Sequence, residues 1–320
     1  MKRNLILLGG LISFATLSSC SFVSTYNESF ISLDTMINVS ITCPKNGKEH
    51  ISNIKAIYRD VDHYADNYQS YENKSVFDLN EKREIEITDT LKALINYSID
   101  FKDKTNGYYN PLIGRLSTKW KDAVKRNTIL SDEEINSELN IMNNSKVEIN
   151  NNKAKIIGDA NLDLGGIAKG YATEMVHQYL IKNEIKDYLI NSGESNILVG
   201  TRDNKYSVGL SKPFNDDYYG KIVLNDKSIA TSSPKYQKTE IDGILYHHII
   251  SPFTGKPVNN YASVNVICDN SMDADVYSTA LFVMDIDVAK QFAEDKNIDI
   301  ILCNKDEVIY KRMDIEIEKV

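Results

Sequence analysis

Asp275 and Thr279 stand four residues apart in Asp273-Ala274-Asp275-Val276-Tyr277-Ser278-Thr279-Ala280, so a helix there puts both on one face. A carboxylate and a hydroxyl side by side are hard oxygen donors of the kind Mg²⁺ accepts, leaving its other positions to waters and a substrate phosphate. The ordinary alternative is an Asp near a helix start with a Thr packed behind it. In Asp163-Leu164-Gly165-Gly166-Ile167-Ala168-Lys169-Gly170-Tyr171-Ala172, three glycines separate a short apolar strand from a helix. Such a turn lets backbone approach a ligand, and the helix amino end suits a phosphate, although a tight strand-to-helix turn accounts for the same glycines. In Tyr246-His247-His248-Ile249-Ile250-Ser251-Pro252-Phe253-Thr254-Gly255-Lys256-Pro257, two histidines precede a Pro/Gly-rich loop that would hold an imidazole on rigid backbone at a loop mouth. One of the two could simply face solvent. Tyr64, Tyr68 and Tyr71 lead into Ser75 and Asn80; most such tyrosines pack, and any one could offer a flat face to an aromatic ligand.

The elements that must carry these residues alternate along the chain without an obvious linker. Phe30–Cys43 has the near-alternation of a half-buried strand, and Pro44-Lys45-Asn46-Gly47 breaks it as a turn. Helical spacing follows over His50–Tyr68 and again over Thr88–Thr105, with Gly107 as a stop signal. Ser131-Asp132-Glu133-Glu134 is a capping box for a helix reaching Met142, Val147–Ile157 is a polar hairpin around Asn150-Asn151-Asn152, and Ala168–Ile181 is a helix. Short strands are expected at Asp187–Ile190, Asn196–Gly200, Lys205–Leu210, Ile222–Leu224 and Ser263–Cys268. Helices at Ala274–Phe282 and Val288–Asp295 and strands near Asp299–Cys303 and Glu307–Lys311 complete the chain. No Rossmann or Walker glycine pattern follows the first strand, and the intermixed elements make this an α+β enzyme.

At the amino end, Lys2 and Arg3 precede a mostly apolar Leu5–Leu17, the pattern of a signal peptide over residues 1–19, too short to span a bilayer comfortably. It ends in Leu17-Ser18-Ser19-Cys20, which resembles the bacterial lipobox. In that resemblance Cys20 is the first mature residue and carries the lipid, residues 20–29 form a short tether, and residues 30–320 form the folded domain. An ordinary secreted protein whose signal ends near a cysteine is the alternative. Loss of Lys2 and Arg3 takes the formal charge from −8 to an acidic −10, which excludes a nucleic-acid binder. Cys43, Cys268 and Cys303 are odd in number and not closely spaced, against a disulfide framework or a CxxC metal site.

Taken in order, these segments resemble the FAD:protein FMN transferase (ApbE-type) family, and the resemblance spans nearly all of the mature chain. Its members typically show F-x-M-G-T, Y-x-x-x-S…N, T-D-G-x-F-D-P, D-L-G-G-I-A-K-G-Y-A, A-T-S-G, H-I-I-D-P-x-T-G-x-P and A-D-x-x-x-T-A. This chain offers Ser32-Leu33-Asp34-Thr35, Tyr71…Ser75…Asn80, Thr105-Asn106-Gly107-Tyr108-Tyr109-Asn110-Pro111, the whole of Asp163–Ala172, Ala230-Thr231-Ser232-Ser233, His248–Pro257 and Ala274-Asp275…Thr279-Ala280. The resemblance implies two intimately packed lobes with the flavin and metal site between them. Asp275, Thr279 and the carbonyl of Gly166 would bind Mg²⁺ or another divalent cation beside the pyrophosphate of FAD. Tyr71 would stack on the isoalloxazine, and Leu33, Tyr108, Tyr109, Asn110, Asp163, Lys169 and Ile249 would line the rest of the flavin site. His248 would activate the attacking hydroxyl or orient the phosphate.

The activity so implied is transfer of FMN from FAD, with release of AMP, to a Thr or Ser of an exported or membrane flavoprotein. The acceptor context is Asp/Ser-x-x-Thr/Ser-Gly/Ala-Ala-Thr/Ser, and the site lies on the outer face of a bacterial cytoplasmic membrane or faces the periplasm. The alternatives are an FAD pyrophosphatase yielding FMN and AMP, and a non-catalytic flavin-binding lipoprotein. Four departures stand out: Leu33-Asp34 for Met-Gly, Asn110 for Asp, Ser233 for Gly and Ser251 for Asp. The last removes a carboxylate next to His248, which bears on the division between transfer and hydrolysis more than on FAD binding. Glu194 also stands where a second glycine is common.

Overall fold

The computed structural model describes residues 23–319 apart from 216, 236, 237, 306 and 313–315. The expected signal peptide, its cleavage site and Cys20 lie outside the described residues.

The chain opens with a hairpin, β1 (Ser24–Ser32) and β2 (Thr35–Cys43), followed by α1 (Gly47–Ala65), α2 (Val76–Lys82), β3 (Glu84–Glu86), α3 (Asp89–Lys104), α4 (Gly114–Lys125) and α5 (Asp132–Asn143). A second hairpin, β4 (Lys146–Asn150) and β5 (Lys153–Ile157), leads to α6 (Ala168–Lys182), β6 (Asp187–Ser192), β7 (Asn196–Val199), β8 (Tyr206–Ser211), β9 (Tyr218–Leu224) and β10 (Lys227–Ser232). The rest holds β11 (Lys238–Ile241), β12 (Ile244–His247), β13 (Ser263–Cys268), α7 (Ser271–Val283), α8 (Ile286–Lys296), β14 (Asp299–Cys303) and β15 (Val308–Arg312).

The larger lobe is built on an eight-stranded sheet in the order β1-β2-β6-β7-β10-β13-β14-β15, with every neighbouring pair antiparallel. Alternation decides its faces: Ile37, Val39, Ile41 and Cys43 of β2 turn inward while the residues between them do not. Helices α1, α6 and α7 lie against the sheet, and Val208, Leu210, Ile222 and Leu224 of the β8–β9 hairpin form a second apolar cluster with Val199, Ile229, Ile267 and Ile301. The smaller lobe combines a three-stranded β3-β5-β4 sheet and α2 with the α4–α5 pair, which share Leu116, Trp120, Ala123 and Ile135. One apolar cluster contains both Ile37 and Ile41 of the large sheet and Ile85 and Ile156 of the small one, so the two lobes are packed through a common core. This is the α+β, two-lobed arrangement the resemblance implies.

Capping chemistry marks several helix starts. Ser131 and Glu134 form the expected capping box of α5, Ser75 and Asp78 form another at α2, and Thr88 Oγ1 accepts the Leu91 N–H at α3.

The beginning of the domain differs from the expectation. Residues 24–29 are strand rather than tether, and the alternating segment is a hairpin rather than one strand. Tyr26 packs over Gly47 of α1 and Phe30 meets the Tyr58 ring edge-on, so β1 has an apolar face to bury. The turn residues Leu33 and Asp34 have φ of 52° and 57°, the left-handed pair of a two-residue type I′ turn. A glycine after the first turn residue suits that geometry, which explains the family's Met-Gly and makes Leu33-Asp34 the strained version. Glu194, with φ of 62°, stands in a glycine's conformation in the β6–β7 turn for the same reason.

Cys43, Cys268 and Cys303 are free thiols, and burial raises all three above the usual range, Cys268 to about 12. Among the described residues, no helix is long and apolar enough to cross a membrane.

Candidate active site

Helices α6 and α7 meet with almost no space between them. Gly170 N–H, in the first turn of α6, donates to Asp275 Oδ2 at 2.8 Å. A Cβ on Gly170 would stand 2.5 Å from Asp275 Cβ and 2.7 Å from Ser271 O, so this glycine is required by contact. Asp275 is buried. Burial pushes its carboxyl above the usual range, against the opposing pull of the Lys169 charge and the Gly170 N–H.

One turn further along α7, Thr279 Oγ1 bonds Asp275 O at 3.3 Å and lies 3.4 Å from Ser232 Oγ at the end of β10, while Ser278 Oγ meets Ser232 Oγ at 2.8 Å. The glycine turn closes over the same spot: a Cβ on Gly166 would lie 3.1 Å from the Tyr109 ring and 3.8 Å from Thr279 Cγ2. The structure thus brings Gly166, Asp275 and Thr279 into one neighbourhood, with Tyr109 and Lys169 beside them.

Tyr109 is the informative member of this group. Its Oη is buried without a hydrogen-bond partner, and burial, then the charges of Asp163 and Asp275, hold its hydroxyl well above the usual phenol range. A buried phenol that keeps its proton and has no acceptor is a donor that a ligand oxygen can satisfy. The loop that carries it is fixed from both sides. Thr105 Oγ1 accepts the Tyr109 N–H at 3.1 Å, Asn110 Oδ1 accepts the Leu112 N–H at 3.1 Å, and Asp163 N–H donates to Pro111 O at 2.7 Å. Asp163 Oδ1 in turn accepts the Gly165 N–H at 2.8 Å, holding the glycine turn open. Asn110, where the family has Asp, makes a turn bond that either side chain can make.

The two histidines divide their roles. His247 is buried, its Nδ1 accepts the Ile249 N–H at 3.1 Å and its Nε2 faces Val258 O at 2.8 Å. These partners require the proton on Nε2, and burial lowers the imidazole below its usual range, so this ring is a neutral structural lock. His248 is exposed, and Ile249 beside it is buried in the main core.

The loop after His248 is gripped by the smaller lobe. Trp120 Nε1 donates to Gly255 O at 2.7 Å and its ring stacks on Tyr246, Lys256 pairs with Asp132 at 2.7 Å, and Ser251 Oγ accepts the Phe253 and Thr254 N–H groups at 3.2 and 3.3 Å. Ser251 keeps the turn-capping bonds that an aspartate would make, without its charge. Phe253, 55% exposed, meets Tyr108 edge-on with ring centroids 4.9 Å apart, joining this loop to the Tyr109 loop. Trp120 was not among the residues expected at the site, though Leu116, Trp120 and Ala123 carry helical spacing.

Leu33 and Tyr71 belong to a separate group at the carboxyl end of α1. Leu33 is half-buried against the main core, and Ser32 Oγ next to it donates to Asp62 at 3.1 Å. Tyr71 stacks on His63, with ring centroids 3.4 Å apart and planes 18° from parallel. Asn80 is a clamp rather than a ligand: its side chain both donates to Leu162 O at 2.9 Å and accepts the Leu162 N–H at 2.7 Å, tying α2 to the residue before Asp163.

Among the described residues, no three His, Cys, Asp or Glu side chains gather as a metal cage. The expected set has only one carboxylate, so such a grouping would not reveal it. Its carboxylate, hydroxyl and carbonyl oxygens nonetheless fit a hard cation that keeps positions for water and phosphate.

Known proteins resemble this chain in sequence and in fold. The ApbE family model matches residues 33–302. A FAD:protein FMN transferase of Klebsiella pneumoniae is 30% identical over 222 residues, covering 64% of this chain and 69% of that one. One from Vibrio cholerae is 30% identical over 226 residues, 68% and 67% of the two chains. The crystal structure of the ApbE protein from Thermotoga maritima shares the fold with a TM-score of 0.78 at 24% identity, over 92% of this chain and 97% of that one. The flavin transferase ApbE from Vibrio cholerae has a TM-score of 0.76 at 23% identity, over 91% and 97%. With the family's sequence pattern running from Leu33 to Leu302 and its fold beneath it, this chain belongs to the ApbE family.

Proposed function

We propose that this protein is an FAD:protein FMN transferase, dependent on Mg²⁺ or another divalent cation and held by a lipid on Cys20 at the outer face of a bacterial membrane. It moves FMN from FAD to a Thr or Ser hydroxyl of an exported flavoprotein. The observation that carries this reading is the grouping of Tyr109, Gly166, Asp275 and Thr279, in which a buried phenol without a hydrogen-bond partner lies against the glycine turn and feels the charges of Asp163 and Asp275. Relatives at 30% identity that bear this activity in their names support it.

Asp275, Thr279 and the Gly166 carbonyl would hold the cation, whose charge would neutralise the pyrophosphate of FAD. The chain's own residues account for the rest. Tyr109 donates its proton in a hydrogen bond to a phosphate oxygen, and Lys169 adds positive charge beside Asp275. The glycine turn and the amino end of α6 bring backbone close to the phosphates. His248, exposed on a loop anchored by Trp120, accepts the proton of the acceptor hydroxyl as its oxygen bonds the FMN phosphorus. The bond from that phosphorus to the bridging oxygen breaks, and AMP leaves with the bridging oxygen. Water in place of the acceptor hydroxyl gives FMN and AMP. Ser251, uncharged where the family carries aspartate, favours a share of that hydrolysis.

The test is incubation of a soluble form lacking residues 1–20 with FAD, Mg²⁺ and an acceptor domain carrying a threonine in the stated context. A mass gain equal to an FMN phosphoester, with AMP released, is the expected result. AMP and free FMN with an unmodified acceptor would support the pyrophosphatase, and intact FAD would leave a flavin-binding lipoprotein.

A further inference from the structure

His63 and Asp62 are consecutive residues near the end of α1, and they serve two segments that are far apart in sequence. Asp62 receives the Ser32 hydroxyl next to the strained Leu33 turn, and His63 lies flat on Tyr71. The backbone of Tyr71 is already fixed, since its N–H donates to Asp78 Oδ2 at 3.3 Å and its carbonyl accepts the Lys74 N–H at 2.8 Å. What that loop cannot fix is the ring, which turns about two side-chain bonds. The imidazole on a rigid helix fixes it.

We propose that His63 is a positioning residue of the flavin site: it covers one face of Tyr71, so that the isoalloxazine stacks on the other, and His63, Tyr71 and flavin form a three-ring stack. The proposal rests on the flavin reading of the site and adds to it the side of Tyr71 from which the flavin is taken. A ring held in place before the ligand arrives loses less freedom on binding, so the imidazole raises affinity without touching the flavin. With one face of Tyr71 covered by His63, the flavin is taken on the face turned away from that imidazole. One turn of α1 thereby sets both the Leu33 turn and the Tyr71 ring.

The test uses FAD alone, titrated into the mature protein and followed by quenching of flavin fluorescence, the signature of aromatic stacking. His63→Ala is expected to weaken FAD binding about tenfold and to lessen the quenching at saturation. His63→Phe, which restores a flat ring, is expected to recover both. In a Tyr71→Ala background, His63→Ala should have no further effect on FAD affinity, whereas a merely structural role would act in both backgrounds. Thermal unfolding of each variant separates folding defects from binding defects. Unchanged or tighter FAD binding by His63→Ala overturns the proposal, the tighter result because it means that the imidazole holds the flavin's own face. Failure of the wild-type protein to bind FAD would instead overturn the flavin reading itself.

Discussion

Gly170 and Asp275 are joined by one hydrogen bond and by the absence of a side chain: the Gly170 N–H reaches Asp275 Oδ2 at 2.8 Å, and a methyl group on Gly170 would stand 2.5 Å from Asp275 Cβ. The other close atoms are Ser271 O at 2.7 Å and Met272 Cα at 2.9 Å, so a Cβ would meet backbone rather than the movable end of a side chain. Gly170→Ala must therefore push α6 and α7 apart. The expected cost is about 2 kcal/mol, within the usual range for overpacking a core. Urea unfolding should show the midpoint fall, and FAD cleavage should drop with it because Gly166 lies in the turn that leads into α6 while Thr279 lies on α7. Wild-type stability in this variant would mean that the two helices are not held at this distance in solution.

Asp275→Asn separates charge from shape. The amide oxygen can keep the bond from Gly170, while the buried charge, whose burial works against ionisation, is gone. The apo protein should be as stable as wild type or up to about 1 kcal/mol more stable, because an incompletely compensated buried charge is removed. FAD cleavage should be abolished, because the proposed cation loses its only side-chain charge. Turnover within a few-fold of wild type would remove Asp275 from the metal set.

Asp78 predicts a specific acid response. Burial raises its carboxyl, but Ser70, the Ser75 N–H and hydroxyl, and Lys82 together outweigh that and bring it down to about 2. A carboxyl depressed in the folded state adds stability that is present above its unfolded value, near 4, and is lost as pH falls through the folded value. Wild type should lose about 2 kcal/mol at this group between pH 4 and pH 2. Asp78→Asn should lack that slope and, because Asp78 also holds the Tyr71 N–H, should bind FAD more weakly. Parallel acid-unfolding curves for the two proteins would refute the assignment.

Much of this was legible from residue types alone, and the gaps have physical causes. The capping box at Ser131 and the periods of α3 and α6 rest on local chemistry, so they appear where expected. Residues 24–29 read as tether because Ser24, Thr25 and Asn27 are polar, while the partners of the inward Tyr26 and Phe30 lie on α1, at Gly47 and Tyr58. α4 is not among the expected elements, although Leu116, Trp120 and Ala123 at helical spacing amid Arg, Lys, Ser and Thr are the signal of an amphipathic helix. At the site, the joining of Gly166, Asp275 and Thr279 follows from the packing of α6 on α7, to which the glycines point without naming the partner. Residue types alone leave His247 and His248 open and the family motif selects His248; the hold of Val258 and Ile249 on His247 is made only by the folded loop. The His63–Tyr71 stack joins a helix to a loop and leaves no sequence trace beyond two aromatic rings eight residues apart.

Ser251→Asp restores the family residue and tests what the change has cost. The Ser251 hydroxyl accepts from Phe253 and Thr254, and a carboxylate can accept from the same two N–H groups with charge assistance. The variant should fold normally and gain about 0.5 to 1 kcal/mol at most, since charge-assisted bonds exceed neutral ones by about that much. A carboxylate on the loop that carries His248 also favours the protonated imidazole, which makes His248 a stronger base toward the acceptor hydroxyl. With FAD, Mg²⁺ and the acceptor domain present, the ratio of acceptor-bound FMN to free FMN should rise several-fold over wild type, measured by mass spectrometry and chromatography of the same reaction. A gain in stability with an unchanged product ratio would make position 251 a turn cap only, and would require another origin for any hydrolysis that wild type shows.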